Sequence, residues 1–137
     1  MVNPLIGVHL AIGEIAILSF IWIIVELINP DVKRLKRAKI AAIIGTIFFF
    51  LSWITGGHYY LTEYGSAIKP MIKAGASPWA HKIVMETKEH VFLMLPFLAV
   101  LVSGIISNKS KEILQNVRFR KWTIYLSGLV VFLGMLM

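Results

Sequence analysis

Four apolar runs, residues 4–28, 39–58, 91–107 and 122–137, constrain this chain more than anything else in it. Each is long enough to cross a hydrocarbon layer of about 30 Å as a helix. Backbone N–H and C=O groups find no water there, so a spanning segment satisfies them within itself and folds as a helix. The expected fold is an all-α integral membrane protein: one domain, residues 1–137, built as a bundle of four transmembrane helices. A mean hydropathy of +0.78 agrees, lying far above that of soluble domains. The first run is expected to be retained: no basic residue precedes it, it exceeds a signal-peptide core of about 7–15 residues, and no small-residue cleavage pattern follows.

The net charge of +7 raises nucleic acid as a partner, but the distribution of the basic residues favours another explanation. Five lie between the first two runs (Lys33, Arg34, Lys36, Arg37, Lys39) and five between the last two (Lys109, Lys111, Arg118, Arg120, Lys121). Only Lys69, Lys73, Lys82 and Lys88 fall between the second and third. The positive-inside rule then puts both termini and the central segment outside, in a multi-pass protein of a plasma or inner membrane. The inner basic loops face anionic headgroups, which makes the lipid bilayer the expected partner and leaves no role for nucleic acid.

Asn29-Pro30 ends the first helix, because proline disfavours helical geometry in the residue before it. The second is expected to end near Gly56-Gly57, with residues 65–76 irregular around Gly65, Pro70 and Gly75. Ser77-Pro78 reads as a helix start, serine capping and proline in the first turn. A helix from Pro78 to Ser107 would be about 45 Å long, so helix 3 should stand beyond the membrane on the outer side.

With no cysteine in the chain, disulfides, iron–sulfur clusters, c-type haem attachment and thiolate metal sites are excluded. Histidine is the remaining strong ligand. Counted from the inner end of each helix, His9, His58 and His90 all lie about 28–30 Å up, at the outer boundary of the hydrocarbon. His81 is nine residues before His90, about 13 Å further out and half a turn away, so a continuous helix keeps it from the same centre. One interfacial histidine is ordinarily an amphipathic side chain with its polar end in water. Three at one depth point to a shared ligand, and imidazole suits haem iron, zinc, non-haem iron and copper.

Neighbouring residues extend the candidate site. Glu86 is one turn before His90, either a fourth metal ligand or the acceptor of the histidine's other N–H; Lys82, also four residues away, competes for it. Gly13 follows His9 by one turn and leaves room for a planar group, or simply for a neighbouring helix. Glu14 lies within helix 1, where an ionised carboxylate costs about 2.5–3.5 kcal/mol. It is expected to face the interior, in a supporting role or bonded to Ser52, Thr55 or Thr123. Glu26, near the basic loop, reads as a surface ion pair. Tyr59, Tyr60, Tyr64 and Trp79 read as an outer aromatic belt.

Three functions fit these residues. The first is a b-type haem protein working in electron transfer or redox exchange at the outer face, with two of His9, His58 and His90 as axial ligands and a quinol or an outer redox partner. In architecture alone the chain is similar to small four-helix membrane cytochromes b, a likeness that assigns no residues. The second is a non-haem zinc, iron or copper site of His9, His58, His90 and Glu86, in a membrane enzyme or metal-handling assembly factor. The third is a non-catalytic subunit of a larger complex, with a membrane-protein partner covering the histidines.

Overall fold

A computed structural model describes residues 4–136. Those residues are helical almost throughout, with no strands, and three helices are long and apolar enough to cross a membrane. Helix α1 covers Pro4–Ile28 and stops before Pro30 as its sequence requires. A short turn leads into α2, Val32–Tyr59, whose N-terminus is capped by Asp31: the carboxylate accepts the Arg34 N–H at 2.7 Å.

The second helix departs from the expected pattern at both ends. It begins well before Lys39, and it passes through Gly56-Gly57 without breaking. Widened π-type turns over Tyr60–Ile68 carry it into α3, Lys69–Ala74, so that Val32–Ala74 is one helical run of 43 residues. Glycine weakens a helix but removes no hydrogen bond, whereas Pro70 lacks an N–H and crowds the preceding turn. The π-type turns lie directly before that proline, where extra backbone room is needed. The irregular segment is thus confined to the residues between Ala74 and Ala80.

The chain returns through a second π-type segment, Ala80–Met85, which continues as α4, Glu86–Asn108. This helix begins close to the expected Ser77-Pro78 signal, but its turns are not uniform. Helix α5, Ser110–Gln115, occupies the second basic segment, and α6 runs over Val117–Met135, earlier than the sequence suggests because Asn116 caps it by accepting the Phe119 N–H at 3.1 Å.

Small residues set the packing. Helix α1 lies against α2 and α6, and α4 lies against the same two. At Gly45 a Cβ would stand 2.8 Å from the Phe20 ring, so glycine there is what lets α1 and α2 approach. Between α2 and α4 the Thr46 and Ser103 hydroxyls are 2.8 Å apart, and Ser103 also donates to the Ala42 carbonyl at 2.9 Å. Phe20, Ile23 and Leu27 fill the middle with Ala99, Val102, Ile106 and Val130, while Leu18, Ile43, Ile47, Phe97, Leu101 and Phe132 face outward. An apolar exterior around small-residue contacts is what lipid-solvated helices present.

Glu26 is not the surface ion pair that its position near the basic loop suggests. It is 4% exposed, and its carboxylate accepts from Arg37 at 2.6 and 2.9 Å, from Arg34 at 3.0 Å and from the Trp22 indole at 2.8 Å. Both arginines reach back from the first turns of α2, so the cluster clamps α1 to α2 at their connected ends.

Candidate functional site

A cavity of about 600 Å³ lies between the first turns of α1, the C-terminal part of α2 and the start of α4. Its wall is mostly apolar, with Ile6, Leu10, Trp53, Ile54, Phe92 and Leu93 prominent. The polar groups on it are His9, His58, Tyr59, Tyr60, Lys88 and Glu89. An apolar hollow with a few convergent polar groups is the usual form of a cofactor or small-molecule site.

His9 is placed by contacts from two helices. Its Nδ1 is 3.0 Å from the Ser52 carbonyl and 3.0 Å from the Ser52 hydroxyl. The backbone contact makes Nδ1 the donor to that carbonyl, which leaves Nε2 with a free lone pair, the tautomer of a ligating histidine. The Phe92 ring meets the imidazole edge-on at 5.8 Å between centroids. Gly56 makes the position available: a Cβ there would fall 2.8 Å from His9 Cε1 and 3.1 Å from Phe92. Gly56, two residues before His58, therefore serves the histidine on the neighbouring helix.

His58 lines the same cavity and is exposed. His90 is not among the residues that line it. It is exposed, with its Nδ1 2.6 Å from the Glu86 main-chain carbonyl, so its polar contact is local to its own helix. The Glu86 carboxylate turns to the other histidine, its Oε1 lying 3.9 Å from His81 Nε2. The depth count placed three histidines at one level, but height does not fix direction, and the structure brings two of them to one cavity. Among the described residues no three His, Cys, Asp or Glu side chains gather as a metal-holding group, which leaves the set His9, His58, His90 and Glu86 unassembled.

Glu14 and Gly13 border a smaller cavity of about 270 Å³, between α1, α2, α4 and the end of α6, which shares His9 with the larger one. Glu14 is exposed on that wall, and the hydroxyls of its three expected partners bond elsewhere. Ser52 bonds to His9, Thr55 donates to the Leu51 and Ser52 carbonyls, and Thr123 donates to the Phe119 carbonyl. A Cβ on Gly13 would meet the Ser52 hydroxyl at 3.4 Å, an ordinary contact, so the small residue there widens the smaller cavity beside His9.

His81 and Tyr64 form a pair that helical counting does not anticipate. Both are buried, and the Tyr64 hydroxyl is 3.1 Å from His81 Nδ1. Tyr64 is therefore not part of an outer aromatic belt, although Trp79 is exposed as a belt residue would be. Glu89 also belongs to the site without having been singled out, beside Tyr60, expected in the aromatic belt, and Lys88, expected as a cation near haem propionates. The only signal for Glu89 in the sequence is the run of polar residues from Glu86 to His90 opposite Tyr59–Tyr60, and it carries no register. No protein-family model, curated protein or solved structure matches the chain, so the site is read from its own geometry alone.

Proposed function

We propose that the protein is a multi-pass membrane haem protein: a bundle of four transmembrane helices, both termini outside, holding haem b in the outer cavity and exchanging electrons with a quinol or a redox partner at that face. The observation that carries this reading is the pair of histidines from adjacent helices, His9 and His58, on the wall of one apolar cavity of about 600 Å³. The residues fit the group: His9 has its Nδ1 fixed on α2 and its Nε2 free, apolar side chains suit the macrocycle faces, and Lys88 offers a cation to the propionates. Bound there, haem would supply one-electron chemistry. The chain's own contributions are to orient His9 through Ser52, to exclude water with Trp53, Phe92 and Leu93, and to set the local charge with Lys88 and Glu89.

The test is an absorption spectrum and metal analysis of one purified sample. A Soret band that is lost in both His9→Ala and His58→Ala, and kept in His90→Ala, is expected. Stoichiometric metal without a Soret band would return the non-haem site, and neither would leave a subunit whose cavity is filled by a membrane partner. Orientation is checked separately with single cysteines. Ser66→Cys is expected to react with an impermeant thiol reagent added outside, and Lys36→Cys to react only after the membrane is opened; the reverse pattern inverts the topology.

A further inference from the structure

His9 and Glu26 of α1 both bond to partners on α2, but Glu14, on the same helix, does not: its carboxylate makes no hydrogen bond or ion pair with any described residue. Counted along α1, Glu14 stands about 15 Å from Pro4 and about 21 Å from Ile28, well inside the apolar run. An ionised carboxylate at such a depth is costly without a partner, and intramembrane ionisable residues mark ligand and ion sites.

The space beside Glu14 is the smaller cavity, which reaches from the last turn of α6 to His9. Gly134 sets the floor: a Cβ there would lie 2.9 Å from Ile17 Cγ1, so the end of α6 packs closely on α1 just below Glu14. The walls above it are apolar, with the Phe49 and Phe92 rings and Leu95. No lysine or arginine lines the cavity among the described residues, and the Ser52 hydroxyl is taken by His9. His9, in the tautomer that donates from Nδ1 and keeps Nε2 free, adds no positive charge. A carboxylate thus borders an apolar hollow that holds no counter-ion for it.

That combination selects one class of ligand. Hard metal ions such as calcium and magnesium take about six to eight oxygen ligands, and Glu14 supplies a single carboxylate. An ammonium carried on an apolar body needs only a counter-ion and apolar walls, and aromatic faces attract it further. The volume of about 270 Å³ lies just under the range of drug-sized sites, about 300–1,000 Å³, so the body is compact. We propose that this cavity binds a small lipophilic amine, its ammonium on the Glu14 carboxylate and its apolar body against Phe49, Phe92 and Leu95. A phospholipid headgroup also carries an ammonium, but its phosphate would meet no cation here, which favours the free amine. The site does not rest on the haem reading, because neither Glu14 nor Gly134 lines the larger cavity.

The full chain, isotope-labelled at its glycines and held in phosphatidylcholine nanodiscs at neutral pH, tests it by titration with cyclohexylmethylamine and with the uncharged isostere cyclohexylmethanol. The readouts are the amide shifts of Gly13 and Gly134, which line this cavity, against those of Gly56 and Gly57, which line the larger one. The amine is expected to give saturable shifts at Gly13 and Gly134. Its affinity is expected to fall at least about tenfold in Glu14→Gln and to stay unchanged in Glu112→Gln, and the alcohol is expected to bind wild type at least about tenfold more weakly than the amine. Glu14→Gln keeps the shape of an exposed side chain, so a loss there is a loss of charge and not of fold. Gly13→Leu, whose Cβ meets Ser52 Oγ at an ordinary 3.4 Å, fills the cavity and is expected to weaken the amine to the same extent, read at Gly134. Equal binding of amine and alcohol, equal binding of the amine to wild type and Glu14→Gln, or shifts confined to Gly56 and Gly57 would overturn the proposal. Shifts at Gly13 and Gly134 caused by phosphatidylethanolamine in place of phosphatidylcholine, with no amine added, would overturn it in favour of a headgroup.

Discussion

Replacing Glu26 by alanine is expected to lower the stability of the protein by about 2–3 kcal/mol. Its carboxylate takes hydrogen bonds from Arg34, Arg37 and Trp22 and is almost fully buried. Removing one partner of a fully buried ion pair costs about 3–5 kcal/mol, because the other charge stays behind unpaired. The loss here is smaller, since the Arg34 and Arg37 side chains are 29% and 48% exposed and can turn to water or lipid phosphate. Unfolding in mixed detergent, followed by far-ultraviolet circular dichroism, measures the difference between wild type and variant. A change below about 0.5 kcal/mol, typical of a surface substitution, would mean that water already screens the cluster.

Filling the cavity from Gly57 is expected to have the largest functional effect. A Cβ at Gly57 meets nothing within 4 Å, and the residue lines the 600 Å³ cavity, so the ring of Gly57→Phe enters open space instead of the core. Soret absorbance per mole of protein is expected to fall at least about tenfold, a loss of 1.4 kcal/mol or more of binding, with stability within about 0.5 kcal/mol of wild type. Gly56→Phe is the informative contrast, because its Cβ would strike the His9 imidazole at 2.8 Å and damage packing as well. Full cofactor content in Gly57→Phe would place the haem outside this cavity.

Much of the helix pattern was legible because hydrophobic length and proline position act locally. The bounds of α1 follow from its apolar run and from Pro30, and Pro78 marks the return of the chain to within two residues of the next helix. Side-chain direction was not legible where the turns change width. A uniform 100° step sets His81 and Glu86 on different faces, but the π-type turns of Ala80–Met85 bring them together, so the carboxylate lies toward His81 while His90 bonds the Glu86 main-chain carbonyl. Glu26 was misjudged for a different reason. Nearness to a basic loop locates a charge at the membrane edge, yet only the short turn around Pro30 determines that Arg34 and Arg37 fold back over it. The cavity likewise depends on Gly56 admitting the imidazole of His9 from another helix, a relation between distant segments that no single-helix argument contains.

The clamp at Glu26 also bears on the order in which the protein is made. Its two arginines lie only 8 and 11 residues along the chain, so α1 and the first turns of α2 can close as a hairpin while the rest of the polypeptide is still being synthesised. Pairing the carboxylate inside that hairpin offsets the cost of burying its charge. An α1–α2 pair closed in this way offers α4 and α6 a preformed surface to pack on.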